Sequence, residues 1–220
     1  MILVTAAMAG ELQGLMPPGV EVGEGLISLA EDLFVCCLGT GKVHSALSIQ
    51  ECLHACAPEA VLHLGICGGA DPALSVGDMV IPHWASDADS FLNPSLGSRE
   101  PVPMRSALSH PWGARLARVV SDAAGGRPRE SCGIASGDRF FTPHDKARLF
   151  GSSAWNGIAA VDMESFSVAY VCERRHVPLV IVKIVSDDSE DRRPKGFSRF
   201  MRTQAQRLAA VVHACRRLAR

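Results

Sequence analysis

Residues 161–191 read VDMESFSVAYVCERRHVPLVIVKIVSDDSED, and this stretch decides the fold. The carboxylates Asp162 and Glu164 open an apolar helix, and the unbroken run at 179–182 predicts a strand that is covered on both faces. The strand leads to Ser186-Asp187, so polar groups come just before a helix and just after a buried strand, where α/β folds usually bind ligands. The helix positions that are predicted to point inward include Phe166, Ala169, Tyr170 and Cys172. Taken alone, the stretch also fits a solvated acidic loop beside a core strand.

Length and charge bound the class of protein. The 220 residues suffice for one α/β domain that spans residues 1–220, and they are too few for two comfortable ones. A hydrophobic fraction of 47% predicts a well-buried core. The net charge of −1 and the aromatic content of 5% argue against nucleic acid or an anionic membrane surface as a partner.

The first residues and the cysteines indicate the compartment. Residues 1–4 begin directly as a strand, with no basic region and no long apolar run, so we expect neither a signal peptide nor a transmembrane helix. The eight cysteines mostly lie inside apolar segments, as buried free thiols do in a reducing compartment. We therefore expect a cytoplasmic protein, and we predict no metal and no cofactor.

The rest of the chain predicts alternating strands and helices. Gly39-Thr40-Gly41-Lys42 precedes a helix, where glycines can bring backbone amides close to a ligand, but a plain tight turn is the better interpretation of this motif by itself. Three glycines at 65–69 follow the strand at 61–64 and permit a flat or sugar-like ligand to approach the backbone. Residues 83–103 are predicted to form a long irregular loop. The remaining predicted elements are strands at 1–7, 79–81 and 132–135, a strand–turn–strand at 26–38, and helices at 112–124, 143–149 and 197–218.

Six short motifs occur in one order along the chain. They are Ala7-Met8-Ala9-Gly10-Glu11, Gly39-Thr40-Gly41-Lys42-Val43, Gly65-Ile66-Cys67-Gly68-Gly69 with Val76-Gly77-Asp78, Ser136-Gly137-Asp138-Arg139-Phe140, Val161-Asp162-Met163-Glu164 and Val185-Ser186-Asp187. In this order and spacing they resemble the nucleoside phosphorylase superfamily, and most closely its 5′-methylthioadenosine/S-adenosylhomocysteine nucleosidases. The resemblance covers nearly the whole chain. It implies a single α/β domain with a central mixed, partly closed sheet surrounded by helices, a nucleoside substrate, a homodimer and a place in methionine salvage.

The resemblance also implies roles for individual residues. Asp187 would be the general acid at purine N7, and Glu11 would orient and activate the attacking water. The ribose hydroxyls would be held by Glu164 beside Met163, the base framed by Phe140 and Phe141, and the 5′ substituent contacted by Phe197. The remaining binding positions lie in the motifs and are Thr40, Ile66, Cys67, Gly68 and Ser186. The loop at 83–103, which contains Trp84, Phe91 and Leu92, would reach across the dimer and bring Phe91 or a neighbour near the other subunit's site.

The chemistry of the residue types agrees with these roles. Breaking a nucleoside C–N bond requires that the departing base be neutralised and that a ribose with oxocarbenium character be supported. Asp187 precedes Asp188 and Glu190, and a carboxyl near a second acid can hold its proton to higher pH. A buried carboxylate such as Glu164 can accept two hydroxyl hydrogen bonds and so fix the sugar. Glu164 and Glu11 are each also compatible with a purely structural role as an acid at a helix N-terminus, which the helix dipole favours.

The cations of the chain bear on the nucleophile. Phosphorylases of this superfamily hold phosphate with arginines near the glycine loops, because a guanidinium offers a bidentate fork. This chain has no arginine before Arg99, and Lys42 is the only lysine in that region. Water is therefore the expected nucleophile. The expected reaction is hydrolysis of a 5′-substituted adenosine, such as 5′-methylthioadenosine, S-adenosylhomocysteine or 5′-deoxyadenosine, with release of adenine.

Two departures from the family pattern leave more than one function possible. Ile66 replaces a small polar residue, and Asp162 stands where glutamate is commoner. A related branch hydrolyses futalosine-type nucleosides, and there Asp187 favours adenine or aminofutalosine, since an amide would be expected for hypoxanthine. The sequence is also compatible with a phosphate-dependent phosphorylase, a non-catalytic nucleoside-binding homologue or a hydrolase with Cys67 as its nucleophile.

Overall fold

The computed structural model of the protein describes residues 1–23, 25–92, 102–103, 122, 128–151 and 157–218. The strands in this part of the chain are β1 (Ile2–Ala6), β2 (Gly25–Ala30), β3 (Leu33–Cys37), β4 (Ala60–Gly69), β5 (Met79–Val80), β6 (Trp84–Asp87), β7 (Val102–Pro103), β8 (Gly133–Ser136), β9 (Ile158–Asp162) and β10 (Leu179–Asp187). The helices are α1 (Ala9–Leu12), α2 (Lys42–Cys56), α3 (Ala88–Leu92), α4 (Pro143–Phe150), α5 (Ser165–Arg174) and α6 (Phe197–Leu218), with a 3-10 turn at Gln13–Leu15.

The described strands form one mixed sheet. Its order is β2-β3-β1-β4-β9-β8-β6-β7, and β10 branches off by pairing with β4 and with β5. β1 pairs in parallel with β3 and β4, and β10 pairs in parallel with β4, whereas β9 runs antiparallel to β4. The predicted central mixed sheet is confirmed. The part of the sheet that the structure describes is open, however, so the partial closure that the resemblance implied is not seen there.

Helices cover both faces of the sheet, as the apolar run of β10 predicts. Successive residues of a strand point to opposite faces, and β1 follows this rule. Leu3 packs into a core cluster with Ile49 of α2 and Cys172 of α5. Val4 packs into a second cluster with Leu208 of α6. The predicted arrangement of a sheet between layers of helices is therefore confirmed.

Several sequence-based details need correction. Tyr170, predicted to point inward, is 48% exposed, because α5 buries Phe166, Ala169 and Cys172 on its inner side. Of the irregular loop predicted at 83–103, residues 84–92 form β6 and α3 and residues 102–103 form β7, while 93–101 lie outside the described residues. The helix predicted at 112–124 lies almost wholly outside the described residues, and so does the placement of the Phe91 side chain.

The register between β4 and β10 positions the polar residues. Lys183 of β10 lies opposite Gly65 of β4, and Asp187 lies opposite Gly68 after a bulge. A Cβ at Gly65 would come within 3.1 Å of Lys183 Nζ, and a Cβ at Gly68 within 2.9 Å of Asp187 Oδ2. The glycines of this motif therefore leave room for the two charged side chains of the neighbouring strand.

Candidate active site

One cavity of about 260 Å³ collects the residues predicted for the site. It lies where β1, β4 and β10 end and α5 begins, as is usual for ligand sites of α/β folds. All twelve predicted residues line it, namely Glu11, Thr40, Ile66, Cys67, Gly68, Phe140, Phe141, Met163, Glu164, Ser186, Asp187 and Phe197. Positions from all six motifs are thus brought together.

Glu11 is held from both sides of its carboxylate. Oε1 accepts a hydrogen bond from the backbone N–H of Ile66 at 2.8 Å, and Oε2 accepts one from the N–H of Met8 at 2.9 Å. Burial raises the pKa of Glu11, while the charge of Lys183 and the two amides oppose that effect. A fixed carboxylate with a raised pKa is suited to take a proton from water. Ile66, whose side chain departs from the family pattern, keeps its backbone contact to this acid.

Glu164 is buried at the start of α5 and is bound to the glycine turn before α2. Its Oε1 accepts a hydrogen bond from the N–H of Gly41 at 2.9 Å, across 123 positions of sequence. Gly41 has φ +91°, a conformation that favours glycine. Burial and the nearby charge of Asp162 raise the pKa of Glu164 to about 7. The acid predicted to hold the ribose is therefore fixed in place by the Gly-Thr-Gly-Lys motif.

In the Gly-Thr-Gly-Lys motif, the backbone amide of Lys42 also donates to a carboxylate, as that of Gly41 does. The N–H of Lys42 donates to Asp138 Oδ1 at 2.7 Å, and the Lys42 ammonium lies 2.9 Å from Asp87 Oδ1 and 2.6 Å from Asp89 Oδ2. The turn thus ties its amides and its lysine to protein carboxylates. This arrangement favours a structural role for the turn over a cradle for phosphate.

Lys183 is a buried cation that the sequence-based site did not include. Its Nζ lies 3.0 Å from Asp162 Oδ2 and 3.1 Å from His63 Nε2. Burial and the charge of Lys183 lower the pKa of His63 well below its usual value, so the imidazole is neutral. Nε2 therefore accepts from the ammonium, and Nδ1–H donates to Thr5 Oγ1 at 3.0 Å.

The carboxylates around Lys183 explain why it keeps its charge. Burial opposes the charged form, but Asp162, Glu164 and Glu11 raise the pKa of Lys183. Asp162 also accepts from the N–H of Ser165, the first residue of α5, at 3.2 Å. Asp162, which stands where glutamate is commoner in the family, thus binds both the start of α5 and Lys183.

Asp187 lies at the end of β10 with its two oxygens in different surroundings. Oδ2 accepts from the ammonium of Lys146 on α4 at 2.5 Å, and Oδ1 accepts from the hydroxyl of Ser186 at 2.7 Å. The sequence predicted that Asp188 would lie close to the Asp187 carboxyl. The Asp188 carboxylate instead pairs with Arg192, whose Nε donates to Asp188 Oδ2 at 2.6 Å. The nearest charged group to the predicted acid is therefore a lysine rather than a second acid.

The aromatic residues divide between the wall and the rim of the cavity. Phe141 is buried, and the guanidinium of Arg139 lies 5.7 Å from the centre of its ring. Phe140, the next residue along the chain, is 86% exposed. Phe197 opens α6 and is 47% exposed. Both exposed rings line the cavity from its open side.

Three cations that sequence reasoning did not place at the site also line the cavity, and each is paired. Lys146 pairs with Asp187, Arg193 Nη2 lies 3.1 Å from Asp191 Oδ1, and Arg139 Nη2 lies 3.4 Å from Asp145 Oδ1. No local sequence pattern identifies these three cations as site residues, because each ion pair either joins residues distant in sequence or includes a loop residue.

Cys67 lines the cavity without the properties of a nucleophile. Its side chain is buried, and burial raises the pKa of the thiol. A nucleophilic cysteine needs the thiolate form near neutral pH, which a lowered pKa supplies. The described residues of the chain also hold no cluster of side chains suited to a metal ion, and no described helix is long and apolar enough to span a bilayer.

Comparison with known proteins agrees with this fold. The chain belongs to the phosphorylase superfamily, whose family model matches residues 5–217. Within it, the chain is similar to a 5′-methylthioadenosine/S-adenosylhomocysteine nucleosidase of Haemophilus influenzae (strain PittEE), with 28% identity over 95% of both chains. A solved nucleosidase of the same name from Campylobacter jejuni has a TM-score of 0.78 at 24% identity and 98% coverage of both chains. The futalosine hydrolase of Helicobacter pylori strain 26695 has a TM-score of 0.76 at 25% identity, with 98% of this chain and 97% of that chain covered. The family that the six motifs predicted is therefore confirmed.

Proposed function

We propose that this protein is an N-glycosidic hydrolase that releases adenine from 5′-substituted adenosines, such as 5′-methylthioadenosine and S-adenosylhomocysteine, and that it serves methionine salvage. The observation that carries the proposal is the convergence of Glu11, Glu164 and Asp187 on one cavity. The names of the relatives support the same reaction. We further propose that residues 1–220 act as one domain.

The proposal assigns each acid a distinct task. Glu11 takes a proton from water as the water oxygen bonds to C1′ of the ribose. Asp187 gives a proton to N7 of the purine as the C1′–N9 bond breaks and its electron pair stays on the base. Glu164, whose Oε1 is held by Gly41, presents its other oxygen to the ribose hydroxyls. Such positioned proton transfers are each worth about 10²–10⁴-fold in rate.

Water rather than phosphate is the nucleophile in this proposal. A phosphate site needs cations that are free to form bidentate contacts. Lys146, Arg139 and Arg193 line the cavity, but each is paired with a carboxylate, and Lys42 is paired with two. Glu11 and Glu164 would also repel an anion at the sugar end of the cavity.

Futalosine-type nucleosides are the second candidate substrates. The similarity to the Helicobacter pylori futalosine hydrolase supports them. Phe197 and Arg193 line the cavity, and the Arg193 guanidinium lies 3.1 Å from Asp191 Oδ1, so an acidic 5′ substituent would bind Arg193 only by displacing that carboxylate. In both cases the carboxyl of Asp187 suits a base that carries an amino group.

The test is an assay of free adenine. The protein is incubated with methylthioadenosine, S-adenosylhomocysteine, 5′-deoxyadenosine and aminofutalosine, each with and without inorganic phosphate. We expect adenine release at a rate that phosphate does not change. Strict dependence on phosphate would identify a phosphorylase, and tight binding of a nucleoside without release of adenine would identify a non-catalytic homologue.

We also propose a homodimer in the cytoplasm. Val43 and Leu47 on α2 and Tyr170 on α5 are apolar side chains that are 76%, 59% and 48% exposed, and covering them in a dimer would remove that surface from water. The eight free cysteines favour a reducing compartment. Light scattering should give twice the mass of the chain, and an active monomer would contradict the dimer.

A further inference from the structure

Lys146 is the most deeply buried charged group that touches the predicted acid. Its side chain is 1% exposed, against 20% for Asp187. Its ammonium donates to Asp187 Oδ2 at 2.5 Å and to the backbone carbonyl of Asp188 at 2.8 Å, and it lies 3.9 Å from Asp191 Oδ1. Removing an ammonium from water is costly unless partners of this kind compensate it. A lysine kept at such a position needs an explanation beyond packing.

The short helix that carries Lys146, α4, has several stabilising features at its N-terminus. Thr142 Oγ1 accepts from the N–H of Asp145 at 3.2 Å, and Asp145 Oδ2 accepts from the N–H of Thr142 at 3.2 Å, which forms a capping box. Pro143 occupies the first turn, and Leu149 is fully buried. The first turn of α4, which includes Lys146, is therefore held in place independently of Asp187.

The two carboxylate oxygens of Asp187 have different hydrogen-bond partners, Lys146 at Oδ2 and Ser186 at Oδ1. Oδ2 is fixed by the ammonium. Oδ1 faces Ser186, whose single hydroxyl hydrogen has two acceptors in reach, Asp187 Oδ1 at 2.7 Å and the carbonyl of Cys67 at 3.1 Å. When that hydrogen points to Cys67, the Ser186 oxygen can accept a hydrogen bond from a protonated Oδ1. Oδ1 can therefore carry a proton while Oδ2 stays beside Lys146.

We propose that Lys146 is a positioning residue for the acid step, which holds Asp187 Oδ2 so that Oδ1 delivers the proton and which stabilises the carboxylate left behind. This inference rests on the proposed function. As the C1′–N9 bond breaks, the proton leaves Oδ1 for N7, and a full negative charge appears on Asp187 next to an ammonium that is already in place. Fixed charges that face a site where charge develops are among the largest contributions to catalysis.

A double-mutant cycle tests the inference. The four proteins are the wild type, Lys146→Met, Asp187→Asn and the double variant, and the measurement is single-turnover release of adenine from methylthioadenosine with enzyme in excess and without phosphate. We expect Lys146→Met to lower the single-turnover rate constant about 100-fold, the scale for loss of one preorganised group, with the enzyme concentration that gives half of that rate changed less than about threefold. In the Asp187→Asn background the same change should cost less than about threefold, because the group through which Lys146 acts is gone.

Two further variants separate charge from structure. Lys146→Gln keeps a hydrogen-bond donor without the charge, so it should resemble Lys146→Met, and it replaces that variant in the cycle if Lys146→Met does not fold. Lys195→Met removes an exposed lysine and should leave the rate unchanged. Equal losses from Lys146→Met in both backgrounds, or full activity in Lys146→Gln, would overturn the inference alone. A wild type that releases no adenine would overturn the proposed function and this inference with it.

Discussion

Replacing Glu164 by glutamine should make the protein more stable at alkaline pH while it lowers activity. The acid is buried, and its pKa is raised from 4.5 to about 7 by burial and then by the charge of Asp162. Glutamine keeps the oxygen that accepts from Gly41 N–H, so the hydrogen bond to the glycine turn persists. The substitution therefore removes a charge and leaves the shape of the site.

The size and sign of the effect follow from linkage between protonation and folding. Below pH 4.5 the acid is protonated in both the folded and the unfolded state, and the substitution changes little. Between pH 4.5 and 7 the unfolded chain ionises first, so the wild type loses stability as pH rises. Above pH 7 the buried charge costs the wild type about 3 kcal/mol, at 1.36 kcal/mol for each pH unit between the two pKa values. Glu164→Gln escapes this cost.

Urea unfolding at pH 5 and pH 8 measures the prediction. The free energy of unfolding of Glu164→Gln, relative to the wild type, should rise by about 2–3 kcal/mol between these pH values. His63 and the remaining titrating groups are common to both proteins and largely cancel in the difference. Glu21→Gln, at an exposed glutamate, is the control and should show no such rise. A difference that is independent of pH, or that falls as pH rises, would refute the reasoning.

Three further changes test the site. Asp187→Asn should lower kcat about 10²–10⁴-fold with little change in nucleoside affinity measured by calorimetry, whereas Asp122→Asn, at an exposed position, should not; normal turnover in Asp187→Asn would remove the acid assignment. Glu11→Gln should bind the nucleoside but lose about 3 kcal/mol of transition-state stabilisation in kcat/KM, and an unchanged rate would show that Glu11 only caps α1. In Gly65→Ala the new Cβ would lie 2.7 Å from Glu11 Oε1 and displace the Glu11 carboxylate, so the rate should fall at least about tenfold. Gly23→Ala, with open space around its Cβ, is the control. Equal rates in the two variants would contradict this interpretation.

The sequence was informative wherever a signal is local. The apolar stripe of the last helix predicted Phe197–Leu218, and the structure has these bounds. Ser186-Asp187 after a buried strand and Glu164 before a helix were sufficient to place two acids at one edge of a sheet. These signals depend on neighbours in sequence, which is why they could be interpreted without the fold.

The two buried lysines show where such prediction stops. Lys146 lies in a polar helix and looks like part of a solvated face, because its partner Asp187 is 41 positions away. Lys183 interrupts an apolar strand, and since lysine is almost never buried without a partner, this position did carry a signal that a carboxylate must face it. Which carboxylate does so, Asp162, is decided only when β9 and β10 are placed around β4.

Strand β10 also fixes the distance between two polar groups of the proposed nucleoside site. Lys183, near the proposed water-activating acid Glu11, and Asp187, the proposed acid at the base, are four positions apart on this strand, and a bulge between Val185 and Asp187 matches them to Gly65 and Gly68, three positions apart on β4. Both face glycines of β4, whose register with β10 sets their spacing. Evolution can lengthen a loop gradually, but it cannot stretch a central strand without shifting every pair of residues along it. Under the proposed function, specificity is therefore expected to change more readily at Phe197 and Arg193, which line the cavity from the segment beyond the strand, than in the spacing between sugar and base.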